Sequence, residues 1–185
     1  MSAFEYLLIP IAIVIGFAIT QLLTSWARIV RDRGRQKQVL MYLSTSGWML
    51  MSLLVHFSGL WAYREIDLGT PGPLALGYLI LIITPTLSFS IAVSVLVPSE
   101  TKPDLSAHYY AVAKPFFLIN ALGMLLSAAP DFLPGVTIKS DLVALSTYVG
   151  IVVVTALSHN RIVHYVCHGL LWLFIAATVF ASVVT

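Results

Sequence analysis

Six long apolar stretches, at 4–29, 39–63, 73–97, 107–129, 141–157 and 161–184, succeed one another along the chain with short polar interruptions between them. Each is continuous rather than alternating and approaches the roughly 20 residues that carry an α-helix across a bilayer core. Strands of an outer-membrane barrel alternate apolar and polar residues over about ten positions, which these stretches do not. The pattern therefore predicts an all-α integral membrane protein, a six-transmembrane helix bundle in one domain over 1–185. The interruptions carry Pro and Gly, as in Gly69-Thr70-Pro71-Gly72-Pro73, Pro98-Ser99-Glu100-Thr101-Lys102-Pro103 and Pro130-Asp131-Phe132-Leu133-Pro134-Gly135, which terminate helices. Asp104 or Ser106 is placed to cap the fourth helix, and Ser140 or Asp141 the fifth.

Composition removes the soluble alternatives. Of 185 residues 59% are hydrophobic and 10% charged, against about 25% charged in a soluble domain. The single cysteine, Cys167, leaves no internal disulfide. The N-terminus lacks a basic segment and a small-residue cleavage site, so the first stretch reads as a retained span.

Charge then sets direction. Five of the ten Lys and Arg residues, Arg28, Arg31, Arg33, Arg35 and Lys37, occupy the connection between the first two stretches. Basic residues beside spans stay cytoplasmic. With that loop inside, Lys102, Lys114 and Arg161 also fall inside, and only Arg64 and Lys139 fall outside. Both termini are then expected on the outer side of the cell (inner) membrane. The same cluster adds attraction to an anionic leaflet, while a net charge of +2 gives no reason to expect nucleic acid as a partner. Six spans divide as three plus three, and Glu5-Tyr6…Pro10…Gly16 faintly echoes Tyr109-Tyr110…Pro115…Gly123. That echo is the signature an inverted repeat would leave.

Polar residues inside apolar stretches are the main functional pointers in such a chain. Glu5, His56 and Arg64 are expected to cluster at the outer side, where a histidine near a carboxylate suits a proton or ligand site; a helix-end salt bridge is the structural alternative. At the inner side His164 and His168 share a helical face at i,i+4, and with His108 they are candidates for one metal. An interfacial histidine patch is the preferred reading, so no cofactor is expected. Haem is disfavoured because His56 and His164 lie at opposite depths. Thr84, Thr86, Asn120 and Gln21 are the candidate lining of a solute pathway. Proline at 10, 85 and 115 frees backbone carbonyls that such a pathway could use, although nearby hydroxyls can satisfy them instead. Small-residue pairs, Ser90/Ser94, Gly123/Ser127 and Ala177/Ala181, permit close helix contact within the bundle or in a homo-oligomer.

No nucleotide-binding, protease, voltage-sensor or selectivity-filter motif is present. The expected function is a channel or carrier for a small solute or ion, rather than an enzyme. The alternatives are a non-transporting sensor or subunit that binds a membrane partner, and a metal or cofactor protein built on the inner histidines.

Overall fold

The structure, a computed structural model, describes residues 3–31, 39–63, 73–98, 104–129 and 141–184. Among them there are six α-helices and no strand: α1 (Ala3–Arg31), α2 (Leu40–Gly59), α3 (Pro73–Leu96), α4 (Leu105–Ser127), α5 (Leu142–Leu157) and α6 (Arg161–Val184), with a 3₁₀ turn at Leu60–Tyr63 closing α2. They fall on the six apolar stretches. α1, α2, α4 and α6 are long and apolar enough to cross a membrane. α5 has 16 residues and at 1.5 Å of rise per residue covers about 24 Å, short of a hydrocarbon core of roughly 30 Å.

Side-chain caps start the later helices. Asp104 accepts from the Ala107 amide at 2.9 Å. Asp141 accepts from the amides of Val143 and Ala144, and Asn160 from that of Ile162. α1, α3 and α4 run on through Pro10, Pro85 and Pro115. In α3 the hydroxyls of Thr84, Ser88, Ser90 and Ser94 each return to the carbonyl four residues earlier, the usual satisfaction of a hydroxyl on an apolar helix.

The helices pack as an arc, α1–α3–α4–α5–α6, with α2 touching α1, α3, α4 and α6. The inner position of α2 explains its sequence. It is the least apolar and most buried of the four long helices, because its neighbours are protein and can answer polar groups. The arc helices instead present large apolar residues outward: Phe17, Leu173 and Phe180 are each about 70% exposed. Apolar surface on that scale belongs against lipid or protein rather than water.

Two glycines set close approaches. At Gly47 of α2 an added Cβ would stand 3.3 Å from the Trp172 ring of α6, with the Trp26 ring of α1 behind it. Gly47 ends the run Ser44-Thr45-Ser46-Gly47, and the two tryptophans grip that run: Trp26 Nε1 donates to Ser46 Oγ at 2.7 Å and Trp172 Nε1 to Ser44 Oγ at 3.0 Å. At Gly123 of α4 a Cβ would meet Phe89 of α3 at 2.9 Å. Gly123 is therefore spent on the α3–α4 contact inside the chain.

Candidate functional site: two ends of the bundle joined through an aromatic layer

Helix direction places the ends of α1, α3 and α5 with the starts of α2, α4 and α6, and this end gathers the buried histidines. His164 and His168, 1% and 4% exposed, face Tyr109 of α4 and Thr45 of α2. The Ser158 carbonyl can only accept, so His164 Nε2, 3.0 Å away, carries the proton and donates. His164 Nδ1 is then the acceptor for the Tyr109 hydroxyl at 2.7 Å. Thr45 gives its hydroxyl proton to the Met41 carbonyl at 2.8 Å, so His168 Nε2 donates to Thr45 Oγ1. These tautomers follow from the donors and acceptors available. The Tyr109 oxygen stands 3.5 Å from His168 Nε2, at the outer limit of a hydrogen bond. The result is two hydrogen-bonded arms, His168 to Thr45 to Met41 and Tyr109 to His164 to Ser158, which meet at the long Tyr109–His168 contact and together form a polar chain that ties α2, α4 and α6 to the α5–α6 junction. Ser25 and Tyr42, 2.6 Å apart, tie α1 to α2 at the same end.

His164 also lines a cavity of about 430 Å³ between the start of α4 and the α5–α6 junction, with Asp104, Tyr110, Lys114, His159 and Arg161. Among the described residues its charged groups are two cations and one carboxylate, and the carboxylate is engaged as the α4 cap. The Arg161 guanidinium lies over the Tyr110 ring at 5.5 Å, a cation–π distance.

At the opposite end a smaller cavity of about 200 Å³ is lined by Ser52, His56, Phe89, Met124, Tyr148 and Thr178 among others. His56 Nε2 and Thr86 Oγ1 are 3.0 Å apart, and the His56 ring meets Phe89 edge-on at 5.0 Å. Tyr148 on the cavity wall donates to Asn120 Oδ1 at 2.8 Å, while Asn120 Nδ2 faces the Met49 sulfur at 3.3 Å.

Between the two ends lies an aromatic layer. Trp48 of α2 stacks on Tyr148 at 6.0 Å and contacts Phe116 and Phe117. Phe117 in turn lies 5.7 Å from His168. Trp48 Nε1 is the only buried side-chain nitrogen or oxygen among the described residues with no hydrogen-bond partner. Burying such a donor unpaired costs about 1–3 kcal/mol.

The sequence candidates distribute as follows. His164 and His168 come together; His108 turns away and donates to the Leu96 carbonyl at 2.9 Å, locking α4 to the end of α3. No group of three metal-ligating side chains converges among the described residues. His56 is half-buried at the far end, 11 residues beyond Thr45 on α2, or about 17 Å at helical rise; the Glu5 side chain and Arg64 lie outside the described residues. Thr86 and Asn120 sit beside the smaller cavity. Thr84 bonds its own helix, and Gln21 lies on the exposed α1–α3 face, 3.3 Å from Ser94. Arg28 is half-buried and Arg31 exposed at the end of α1, whereas Arg33, Arg35 and Lys37 lie outside the described residues.

Thr45, Tyr109, Tyr148 and Trp48 are the members that sequence reasoning did not select. The available signal was the run Ser44-Thr45-Ser46-Gly47 in the least apolar span, which marks a helix surrounded by protein. No family model, curated protein or solved structure matches the chain.

Proposed function

We propose that this chain is a six-span protein of the cell (inner) membrane with both termini outside, and that it works as a small-solute carrier. The orientation is supported by the positions of Arg28, Arg31 and Arg161 at the end shared by the α1–α2, α3–α4 and α5–α6 junctions, and by Lys114, which lines the cavity at that end. The carrier reading rests on one observation: an aromatic cluster reaches from His168 beside one cavity, through Phe117 and Trp48, to Tyr148 on the wall of the other, and its buried indole donor has no partner among the described residues. A solute in transit supplies what that donor lacks. The polar chain on one side and His56–Thr86 on the other offer neutral donors and acceptors at each approach.

Swelling of proteoliposomes tests this directly. Light scattering is followed after mixing with isotonic panels of ammonium salts, sugars, polyols and amino acids. The expected result is protein-dependent entry of one solute class, altered by Trp48→Phe. Absence of entry for every class, together with a second membrane protein co-purifying at fixed stoichiometry, would replace the carrier by a partner-binding subunit.

A further inference from the structure

The larger cavity has a charge pattern that the aromatic layer and the polar chain do not use. Lys114 and Arg161 approach it from different helices, α4 and α6, and His159 closes it from the α5–α6 junction. Among the described residues neither cation forms an ion pair; Arg161 has only the Tyr110 ring. The starts of α4 and α6 border this space, each bringing the partial positive charge of a helix N-terminus, with one amide of each capped by Asp104 and Asn160. The one carboxylate among the described lining residues, Asp104, has a lone pair committed to the Ala107 amide. The floor is His164, whose orientation is fixed by Ser158 and Tyr109. Two cations and one carboxylate leave an excess of positive charge among the described residues that line this concave, partly apolar space, and guanidinium and ammonium groups suit a tetrahedral or planar oxyanion.

We infer that the cavity between the start of α4 and the α5–α6 junction binds a phosphate group, held between Lys114 and Arg161 with His159 as a third donor. The phosphate belongs either to a free phosphorylated solute or to the headgroup of an anionic lipid; both present the same dianionic or monoanionic oxygens. The inference deepens the carrier reading, since it names the chemical class accepted at the inner mouth, and it rests on that reading only for the claim that the bound group is transported.

The test uses the purified full chain in a non-ionic detergent and in phosphatidylcholine nanodiscs. Inorganic phosphate is titrated calorimetrically in detergent, and nanodiscs with and without phosphatidic acid are compared by the thermal stability of the embedded protein. Binding of phosphate in detergent identifies the soluble source; stabilisation only by phosphatidic acid identifies the headgroup. In either case the paired substitution Lys114→Gln/Arg161→Gln is expected to weaken binding at least about tenfold, since it removes two charge-assisted donors at once. In the phosphate titration in detergent, Arg31→Gln, an exposed cation at the same end, is expected to leave binding unchanged. No binding in either medium, or equal weakening by Arg31→Gln, overturns the site. Melting curves without ligand show whether the paired variant is folded; if it is not, Lys114→Gln alone, at an exposed position, carries the comparison. Phosphate binding without any solute entry retains the site and removes the carrier. Entry of a solute with no binding of phosphate or phosphatidic acid does the reverse.

Discussion

At the scale of single residues the decisive groups are those whose hydrogen-bonding capacity is fully used or conspicuously unused. Tyr109 is the hinge of the polar chain, because its hydroxyl is the only proton offered to His164 Nδ1. Tyr109→Phe removes it and leaves that nitrogen buried without a donor, so a loss of about 1–3 kcal/mol is expected, read as a lowered melting temperature in mild detergent. Trp48 shows the opposite case. Trp48→Ala empties the space against Tyr148, Phe116 and Phe117 and is expected to cost about 3–5 kcal/mol. Trp48→Phe is expected to cost far less, because the packing lost is offset by removal of a donor whose unpaired burial costs about 1–3 kcal/mol. Comparing the two melting curves checks this; equal losses would show that the indole N–H has a partner, such as a trapped water.

At the scale of helices, close approach is governed by where a Cβ is missing. α3 and α4 form the most extensive helix–helix contact, and Gly123 lies at its tightest point, against Phe89. Phe89 has little freedom to yield, since His56 packs edge-on against it. Gly123→Ala is therefore expected to destabilise by about 1–3 kcal/mol, the range for overpacking a well-filled interior, and to disturb the His56–Thr86 pair. Gly150 of α5 is the control. A Cβ there meets nothing within 4 Å, so Gly150→Ala is expected to stabilise the helix by up to about 1 kcal/mol, as alanine does over glycine in helix interiors. Thermal melts of the two variants side by side separate packing from propensity. α2 illustrates the same logic: its run of small polar residues is tolerable in an apolar environment because the indoles of α1 and α6 donate to two of them.

At the scale of the whole molecule the arc of helices around α2 produces an apolar outer surface, a polar inner seam and two cavities at opposite ends. The proposed orientation gives a direct expectation. In a Cys167→Ser background, an impermeant maleimide should label Leu142→Cys in intact cells but label Asn160→Cys only after lysis. Both positions are exposed at opposite ends of α5 and its junction with α6. The reversed pattern would invert the bundle and place the larger cavity outside.

The hydrophobic pattern alone determined the helical class, the positions of the six helices, and the separation of His56 from His164 and His168. Those properties depend on local periodicity, helix length and the Pro/Gly interruptions, all readable along one dimension. Asp104 and Asp141, both candidate caps in the sequence, show that capping was equally local. The partners of buried polar groups were not legible, because each lies on another helix: Thr45 meets His168 across 123 residues and Tyr109 meets His164 across 55. Nothing in the spacing of 108, 164 and 168 says that His108 faces the end of α3 rather than its fellow histidines. Likewise Thr84, Thr86, Asn120 and Gln21 share a chemistry but not a direction, and direction is set by how each helix is rotated against its neighbours. That rotation is chosen by packing, through Gly47 between two tryptophans and Gly123 against Phe89. Sequence therefore fixed which segments are helices and which residues are costly to bury; only the tertiary structure decided which of those residues satisfy one another and where space is left for a ligand.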